Sequence, residues 1–176
     1  DRISGPAGSE VTLTVLDPDS DETRTLTLHR AEVDVDLVTW TRLPGTETAY
    51  LRITSFSEGA AEDLECTLAE IRAAEEISGI VLDLRSNHGG LLGEAVSVAS
   101  YFIEDGLVLL RRDADGNVRE VPVEEGIDAI DTPLAVLVNG GSASGAEVVT
   151  GALQDHGRAT VIGTTTFGAG TVLNPF

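Results

Sequence analysis

Two glycine-rich segments of this chain combine residue types that can bind and attack a carbonyl group. They are residues 83–90, with the sequence DLRSNHGG, and residues 139–147, with the sequence NGGSASGAE. Each follows a short apolar run and precedes a helical pattern. A strand that ends in glycines before a helix presents backbone N–H groups and one side chain at its rim. Two such turns in one chain can supply a nucleophile and an oxyanion hole.

Ser144 is the candidate nucleophile, and it also has a purely structural interpretation. It begins a predicted helix and has Glu147 three residues later, which is the pattern of a capping box. In that role the hydroxyl would accept the N–H of the third helical residue, and Glu147 would reach back. Ser142 is the second candidate for the nucleophile.

Gly89 and Gly90 are candidate oxyanion donors, together with the N–H of Gly145 on the second loop. Their structural interpretation is a turn that needs positive φ. His88 lies beside them and could act as a substitute general base near neutral pH, or could be a solvent-facing loop residue. Asp83 and Arg85 alternate around one residue, which predicts an ion pair that shapes the loop.

The elements that must position these residues alternate between strands and helices, which predicts an α/β layered core. Val33, Val35 and Leu37 open a predicted strand, and Leu64, Leu68 and Ile71 mark one face of a predicted helix. Strands are predicted at 33–42, 49–54, 80–84, 134–138 and 161–163, hairpins at 8–30 and 107–123, and helices at 57–77, 92–103 and 144–156.

The composition limits the classes of partner. The net charge is −19, so a nucleic-acid partner is not expected. All of the positive charge is arginine, because the chain contains no lysine. No apolar run is long enough to span a membrane. The three histidines are too scattered for a metal site, no cofactor is predicted, and Cys66 is expected to be a small buried residue. Because the sequence opens on Asp1 and has no methionine, a longer precursor is expected.

Four motifs in order resemble the C-terminal processing peptidases, also called tail-specific serine peptidases. The resemblance covers roughly residues 33–176, and residues 1–30 resemble the C-terminal half of the PDZ module inserted in that family. The motifs are DLRSNHGG (83–90), NGGSAS (139–144), GALQDHGRA (151–159) and TFGAG (166–170).

This resemblance implies a crotonase-like core of ββα units (residues 33–176) after a partial PDZ-like module (residues 1–32). It also implies a serine nucleophile, at Ser144, and a polypeptide substrate cleaved near its C-terminus. The family's general base is a lysine, 25 residues after the serine, and a glutamine four residues further on orients it. Those positions hold Ala169 and Leu173 here, so little peptidase activity is expected at pH 7.

Three hypotheses therefore remain. The chain is a serine peptidase that has diverged at its base, a non-catalytic peptide or small-molecule binding module on the same fold, or a shortened or substituted form of an active parent. The Ser144 turn favours the enzyme, and the apolar Ala169 and Leu173 favour the binding module. By resemblance, the location would be the bacterial cell envelope or the extracellular space.

Overall fold

The computed structural model describes residues 3, 5–18, 20–31 and 36–169. The chain divides into two compact units, Asp1–Val35 and Asp36–Phe176. Within the described residues the strands are β1 (Glu10–Leu16), β2 (Thr23–His29), β3 (Val38–Arg42), β4 (Thr48–Ile53), β5 (Gly79–Asp83), β6 (Leu107–Arg112), β7 (Val118–Pro122), β8 (Leu134–Val138) and β9 (Ala159–Gly163). The helices are α1 (Ala60–Ala73), α2 (Leu92–Ser100) and α3 (Gly145–Asp155).

The first unit is the predicted hairpin. β1 and β2 pair antiparallel, with Glu10 opposite His29 and Leu16 opposite Thr23. Arg30 closes the end of the hairpin, because its guanidinium donates to the carbonyl oxygens of Ile3 and Glu10 and to Ser9 Oγ at 2.8–2.9 Å.

The second unit is built on a mixed sheet in the order β3-β4-β5-β8-β9. β3 is antiparallel to β4, and the other neighbours are parallel. Parallel neighbours require crossover connections, and the segments containing α1 and α3 supply two of them. The structure thus confirms a mixed α/β architecture.

The core of the second unit lies between one face of the sheet and the helices. Along β4, alternate residues Ala49, Leu51 and Ile53 are buried, as the period of two in a strand requires. α1 contributes Leu64, Leu68 and Ile71, as predicted.

The helices end earlier than the periodicity predicted. α1 was expected to continue to residue 77, but Ala74 is extended and Glu76 has a φ of 64°. Ile77 still packs against the core, from the loop and not from the helix. In the same way α2 ends at Ser100, and Phe102 and Ile103 are buried in the turn that follows. An apolar side chain can reach the core from a helix or from a loop. The apolar pattern therefore predicted helix C-termini that lie beyond the observed ones.

The expectation that Cys66 is buried is wrong. Cys66 is a free, exposed cysteine. It lies two positions after Leu64, which is about 200° around an α-helix, and therefore on the face opposite the core.

The strand predicted at 33–42 is described only in its later part. Residues 33 and 35 lie outside the described residues, and β3 begins at Val38.

The hairpin of β6 and β7 was predicted across residues 107–123 and is present. α2 and α3 contact each other and both contact β6. Arg158 fixes the segments beneath them, because its guanidinium donates to the carbonyl oxygens of Phe102, Ile130 and Thr132 at 2.7–2.9 Å. Residues 109–114 of the hairpin line one cavity with the first residues of α3, which places the hairpin beside the N-terminus of that helix. In the described part of the chain, no helix is long and apolar enough to cross a membrane.

Candidate active site

The two glycine-rich loops lie side by side because their strands are neighbours in the sheet. β5 and β8 are parallel, with Asp83 opposite Leu137, so both loops leave from the same edge. Asn139 then joins the loops: its Oδ1 accepts the N–H of Ser86 at 2.8 Å and that of Gly141 at 3.0 Å.

A buried carboxylate supports the first loop. Asp83 is fully buried, and its carboxylate accepts the backbone N–H, Nε and a terminal nitrogen of Arg85 at 2.7–2.9 Å. Tyr50 Oη also donates to it. Burial raises the pKa of Asp83, but the hydrogen bonds from Arg85 and Tyr50 outweigh that effect and lower it to about 2. The predicted ion pair is therefore present and stays charged at neutral pH.

Ser142 and Asn87 connect the loops from below, and sequence analysis missed Asn87. The Ser142 hydroxyl donates to the Leu84 carbonyl oxygen at 2.8 Å and accepts the Asn139 N–H at 3.0 Å. Asn87 is buried, and its side-chain Nδ2 donates to the carbonyl oxygen of Ile53 at 3.0 Å. Its backbone carbonyl oxygen accepts the Ala143 N–H at 2.9 Å. Because the Ser142 hydroxyl is already used in both directions, the geometry favours Ser144 as the nucleophile.

Ser144 occupies a strained turn between β8 and α3. It has φ 52° and ψ −115°, a conformation that residues with a side chain rarely adopt. Its backbone N–H donates to Glu147 Oε2 at 3.0 Å, which is the predicted reciprocal contact of a capping box. The Ser144 side chain and the Glu147 N–H form the other half of the capping box, although this contact lacks the geometry of a normal hydrogen bond. The Glu147 N–H also donates to the Ser144 carbonyl oxygen at 2.9 Å.

A cavity of about 610 Å³ lies in front of this turn. Ser144, Gly145, Gly90 and Ala169 all line it, together with Glu147 and residues 109–114 of the β6–β7 hairpin. The structure thus brings the candidate nucleophile, two candidate oxyanion donors and the predicted lysine position to one cavity. Leu173 lies outside the described residues. His88 is exposed and is not among the described residues that line the cavity, so its role as a base stays a prediction.

The three candidate oxyanion donors differ in availability. The Gly89 N–H already donates to Asn87 Oδ1 at 2.8 Å. The N–H groups of Gly90 and Gly145 have no acceptor among the described residues, and both glycines line the cavity. Gly145 is also the first residue of α3, where backbone N–H groups lack partners within the helix.

Close approach explains why glycine is needed at both positions of the first loop. A Cβ on Gly89 would lie 2.7 Å from Ser144 Cβ, and one on Gly90 would lie 2.3 Å from the carbonyl oxygen of Phe56. Both residues also have positive φ, 92° and 153°. The loop can therefore lie directly against the Ser144 turn only without side chains there.

Glu147 does more than the capping box predicted. Besides the Ser144 N–H, it accepts Thr166 Oγ1 and the Gly168 N–H at 2.7 Å and the Ala169 N–H at 2.9 Å. Burial raises the pKa of Glu147, but these four hydrogen bonds outweigh burial and hold the pKa below its usual value. The carboxylate thus fastens the turn that carries Ala169 to the turn that carries Ser144. The sequence could have revealed this role of Glu147 only if the turns at Ser144 and Ala169 were already known to be neighbours in the fold.

Metal binding finds no support in this geometry. Across the residues that the structure describes, no group of three or more histidine, cysteine, aspartate or glutamate side chains could hold a metal ion.

Comparison with known proteins shows which family the chain belongs to. The model of peptidase family S41 matches residues 47–176. A carboxy-terminal-processing protease of Bartonella bacilliformis is 39% identical over 176 residues, which is 98% of this chain and 40% of that protein. A tail-specific protease of Haemophilus influenzae is 33% identical over 98% of this chain and 25% of its own length.

A solved structure shares the fold. The photosystem II D1 C-terminal processing protease is 33% identical and superimposes with a TM-score of 0.71, over 94% of this chain and 46% of that one. The chain therefore spans less than half the length of these relatives. From the family model and the identity over nearly its whole length, the chain belongs to peptidase family S41.

Proposed function

We propose that this chain is the core of a serine-type peptidase that cleaves extended polypeptides near their C-termini. The observation that carries the proposal is the strained Ser144, which lines one cavity with the N–H groups of Gly90 and Gly145 and with Ala169. Relatives at 33–39% identity are named C-terminal processing or tail-specific proteases, which supports this reaction class.

In this proposal Ser144 Oγ attacks the carbonyl carbon of the scissile peptide bond. The negative charge that develops on the carbonyl oxygen is stabilised by the N–H groups of Gly90 and Gly145, each contributing about 3 kcal/mol. Gly89 acts by close packing against Ser144, because its own N–H is already used by Asn87. The positive end of α3 adds to the same stabilisation.

The missing part is a group that accepts the hydroxyl proton. Ala169 holds the position of the family's lysine, and an alanine cannot accept a proton. Glu147 is nearby but is a poor base, since four hydrogen bonds stabilise its carboxylate. The chain itself is therefore expected to be nearly inert as a peptidase, with its oxyanion-binding groups in place.

The proposal extends to the architecture. We assign residues 33–176 to a crotonase-like peptidase core and residues 1–32 to part of a PDZ-like module. The division of the chain into compact units at Val35 and Asp36 lies close to that boundary.

A second candidate function is a non-catalytic module that binds peptides or small molecules in the same cavity. The apolar Ala169, half-buried at the cavity wall, and the leucine at position 173 favour it. Both functions use the same cavity, so they differ only in whether Ser144 can be activated.

The decisive experiment restores the base. We expect Ala169→Lys combined with Leu173→Gln to raise the rate of casein cleavage at least about 10²-fold, because general base catalysis is worth about that much. Ser144→Ala in that background should abolish the gain. Circular dichroism checks that all variants are folded.

Two outcomes would contradict the proposal. If the folded double variant remains inert and Ser144 does not react with a fluorophosphonate probe, the binding module is favoured. If the unaltered chain cleaves casein rapidly and Ser144→Ala stops it, another base is present, and His88→Asn is the next variant to test.

A further inference from the structure

The β6–β7 hairpin carries three exposed arginines that form no ion pair with any described residue. They are Arg111, Arg112 and Arg119, and Arg111 lies directly opposite Arg119 in the register. Like charges at directly opposed positions destabilise a strand pair. None of the three forms an ion pair or a side-chain hydrogen bond with any described residue, although the chain has 30 acidic residues and 11 arginines. This arrangement has a cost for the isolated hairpin and suggests an anionic ligand.

Two of these three arginines line the cavity, and strand alternation accounts for the direction of Arg111. Leu109 and Val121 are cross-strand partners that pack against the core at the base of the hairpin. Arg111 and Arg119 are two residues further along each strand and so continue the same face. Arg111 and Arg112 line the cavity that Ser144 lines. The hairpin side of the cavity therefore carries two guanidinium groups next to the carboxylate of Asp113.

The carboxylates that line the same cavity form no ion pair with these arginines. Asp113, in the hairpin turn, accepts the N–H groups of Asp115 and Asn117 and the Nδ2 of Asn117 at 2.9–3.0 Å. Glu147 is used by its four donors on the opposite side. Both carboxylates keep their negative charge but are held by other donors, so neither forms an ion pair with Arg111 or Arg112.

We infer that Arg111 and Arg112 select polypeptides that carry a carboxylate within a few residues of the bond presented to Ser144. The inference rests on the proposed function, because it names the ligand of the same cavity. An arginine guanidinium binds a carboxylate through two parallel hydrogen bonds. The net charge of −19 would repel an acidic peptide at a distance, but screening at physiological salt confines that repulsion to about 8 Å. At the cavity, Arg111 and Arg112 are exposed guanidinium groups that can donate directly to a carboxylate.

The carboxylate could be an aspartate or glutamate side chain or the C-terminal carboxylate of the polypeptide. Fluorescein-labelled ten-residue peptides of one apolar sequence distinguish these sources. The first is neutral with an amidated C-terminus, the second has a free C-terminus, the third has one internal aspartate and an amidated C-terminus, and the fourth has an internal lysine in that place. Dissociation constants are measured by fluorescence anisotropy with the whole chain, at low and at physiological salt.

We expect the second or the third peptide to bind about three- to tenfold more tightly than the neutral amide, as exposed charge-assisted contacts allow. Arg111→Gln and Arg112→Gln should each reduce this preference, and the double variant should remove it. Arg24→Gln is the matched control, since Arg24 is an exposed arginine of β2 in the other unit. The double variant Arg111→Glu/Arg112→Glu should prefer the lysine peptide.

Equal binding of the four peptides, a preference that survives in the double glutamine variant, or no saturable binding by either carboxylate peptide would overturn the inference. Failure of the proposed function is separate from these outcomes. If the base-restored variant cleaves neutral peptides as fast as acidic ones, the peptidase proposal stands and the selectivity falls. If Ser144 proves inert while the arginine-dependent preference persists, the selectivity belongs to a binding module.

Discussion

Ser144 combines a strained backbone with an available side chain. For a residue other than glycine, a backbone with φ 52° and ψ −115° costs about 1–3 kcal/mol of conformational free energy, so surrounding contacts must maintain this conformation. The Ser144 N–H to Glu147 and the tight packing of Gly89 against Ser144 Cβ are two such contacts. With this backbone conformation, the Ser144 side chain lies at the rim of the cavity. A residue that served only as a helix cap would not need such a conformation.

A substitution at Gly90 tests whether the first glycine-rich loop requires the close approach of its backbone to Phe56. We expect Gly90→Ala to lower the free energy of unfolding by about 2–4 kcal/mol, because its Cβ would meet the Phe56 carbonyl oxygen at 2.3 Å in a backbone with positive φ. Urea denaturation measures the change. Gly93→Ala is the control: Gly93 lies in α2, a Cβ added there would have no neighbour within 4 Å, and alanine should stabilise slightly. Equal stability of the two variants would contradict the account.

Asp83 predicts an acid-dependent loss of stability. Its pKa is about 2 in the folded chain and near 3.8 when unfolded, so its contribution of roughly 2 kcal/mol is complete above about pH 5. That contribution is lost as the pH falls through 4 toward 2. Asp83→Asn should reduce the free energy of unfolding at pH 7 and flatten its pH dependence between pH 5 and 2. Asp115→Asn, in the exposed hairpin turn, should leave both nearly unchanged; an unchanged slope in Asp83→Asn would be the contrary result.

At the level of elements, the site depends on joining the first turn of α3 to the segment after β9. Glu147 holds both, and Phe167 N–H adds a hydrogen bond to the Ser142 carbonyl oxygen at 3.0 Å. Position 169 is therefore held at the cavity by a hydrogen bond to a carboxylate on α3.

Glu147→Gln should release this turn. An amide nitrogen would replace one carboxylate oxygen and face N–H groups that need an acceptor, at a cost of about 1–3 kcal/mol. We expect faster hydrogen exchange of the amides at 168 and 169 and a lower activity of the base-restored variant. Glu62→Gln, on the exposed face of α1, removes the same charge and should change neither. Unchanged exchange at 168 and 169 in Glu147→Gln would refute the role of the carboxylate.

For the whole molecule, charge is the dominant surface property. Thirty carboxylates against eleven arginines give −19, and the described ion pairs are mostly exposed at one or both partners. Self-repulsion of this size opposes the compact state. In a chain with this excess of acidic residues, it is unusual that the three arginines of the β6–β7 hairpin form no ion pair with any described residue.

Salt should consequently stabilise the chain. Raising NaCl from about 0.02 M to 1 M shortens the Debye length to about 3 Å and should raise the melting temperature by several degrees. Differential scanning calorimetry measures the effect, with an equal osmolarity of sucrose as the control for non-ionic effects. A melting temperature that falls with NaCl would mean that attractive ion pairs outweigh the net repulsion.

Sequence alone predicted the order and type of the described elements, because the periods of two and 3.6 come from local backbone geometry. It also singled out Ser144, Gly90, Gly145 and position 169, since their spacing follows a recognisable motif. It misjudged the end of α1, because an apolar residue such as Ile77 fits either a helix or a loop and only tertiary contacts decide. It also misjudged Cys66, although the helical period from Leu64 already places that residue opposite the core.

Tertiary structure alone decided which groups are free to act. Whether the Gly89 N–H is available depends on the Asn87 side chain, and the placement of Ala169 depends on Glu147, 22 residues earlier. Arg111 and Arg112 likewise line the cavity only because a hairpin 22 to 37 residues before Ser144 folds beside α3. Hydrogen bonds and charges act over a few ångströms in space, and chain spacing does not specify which distant residues meet at that range.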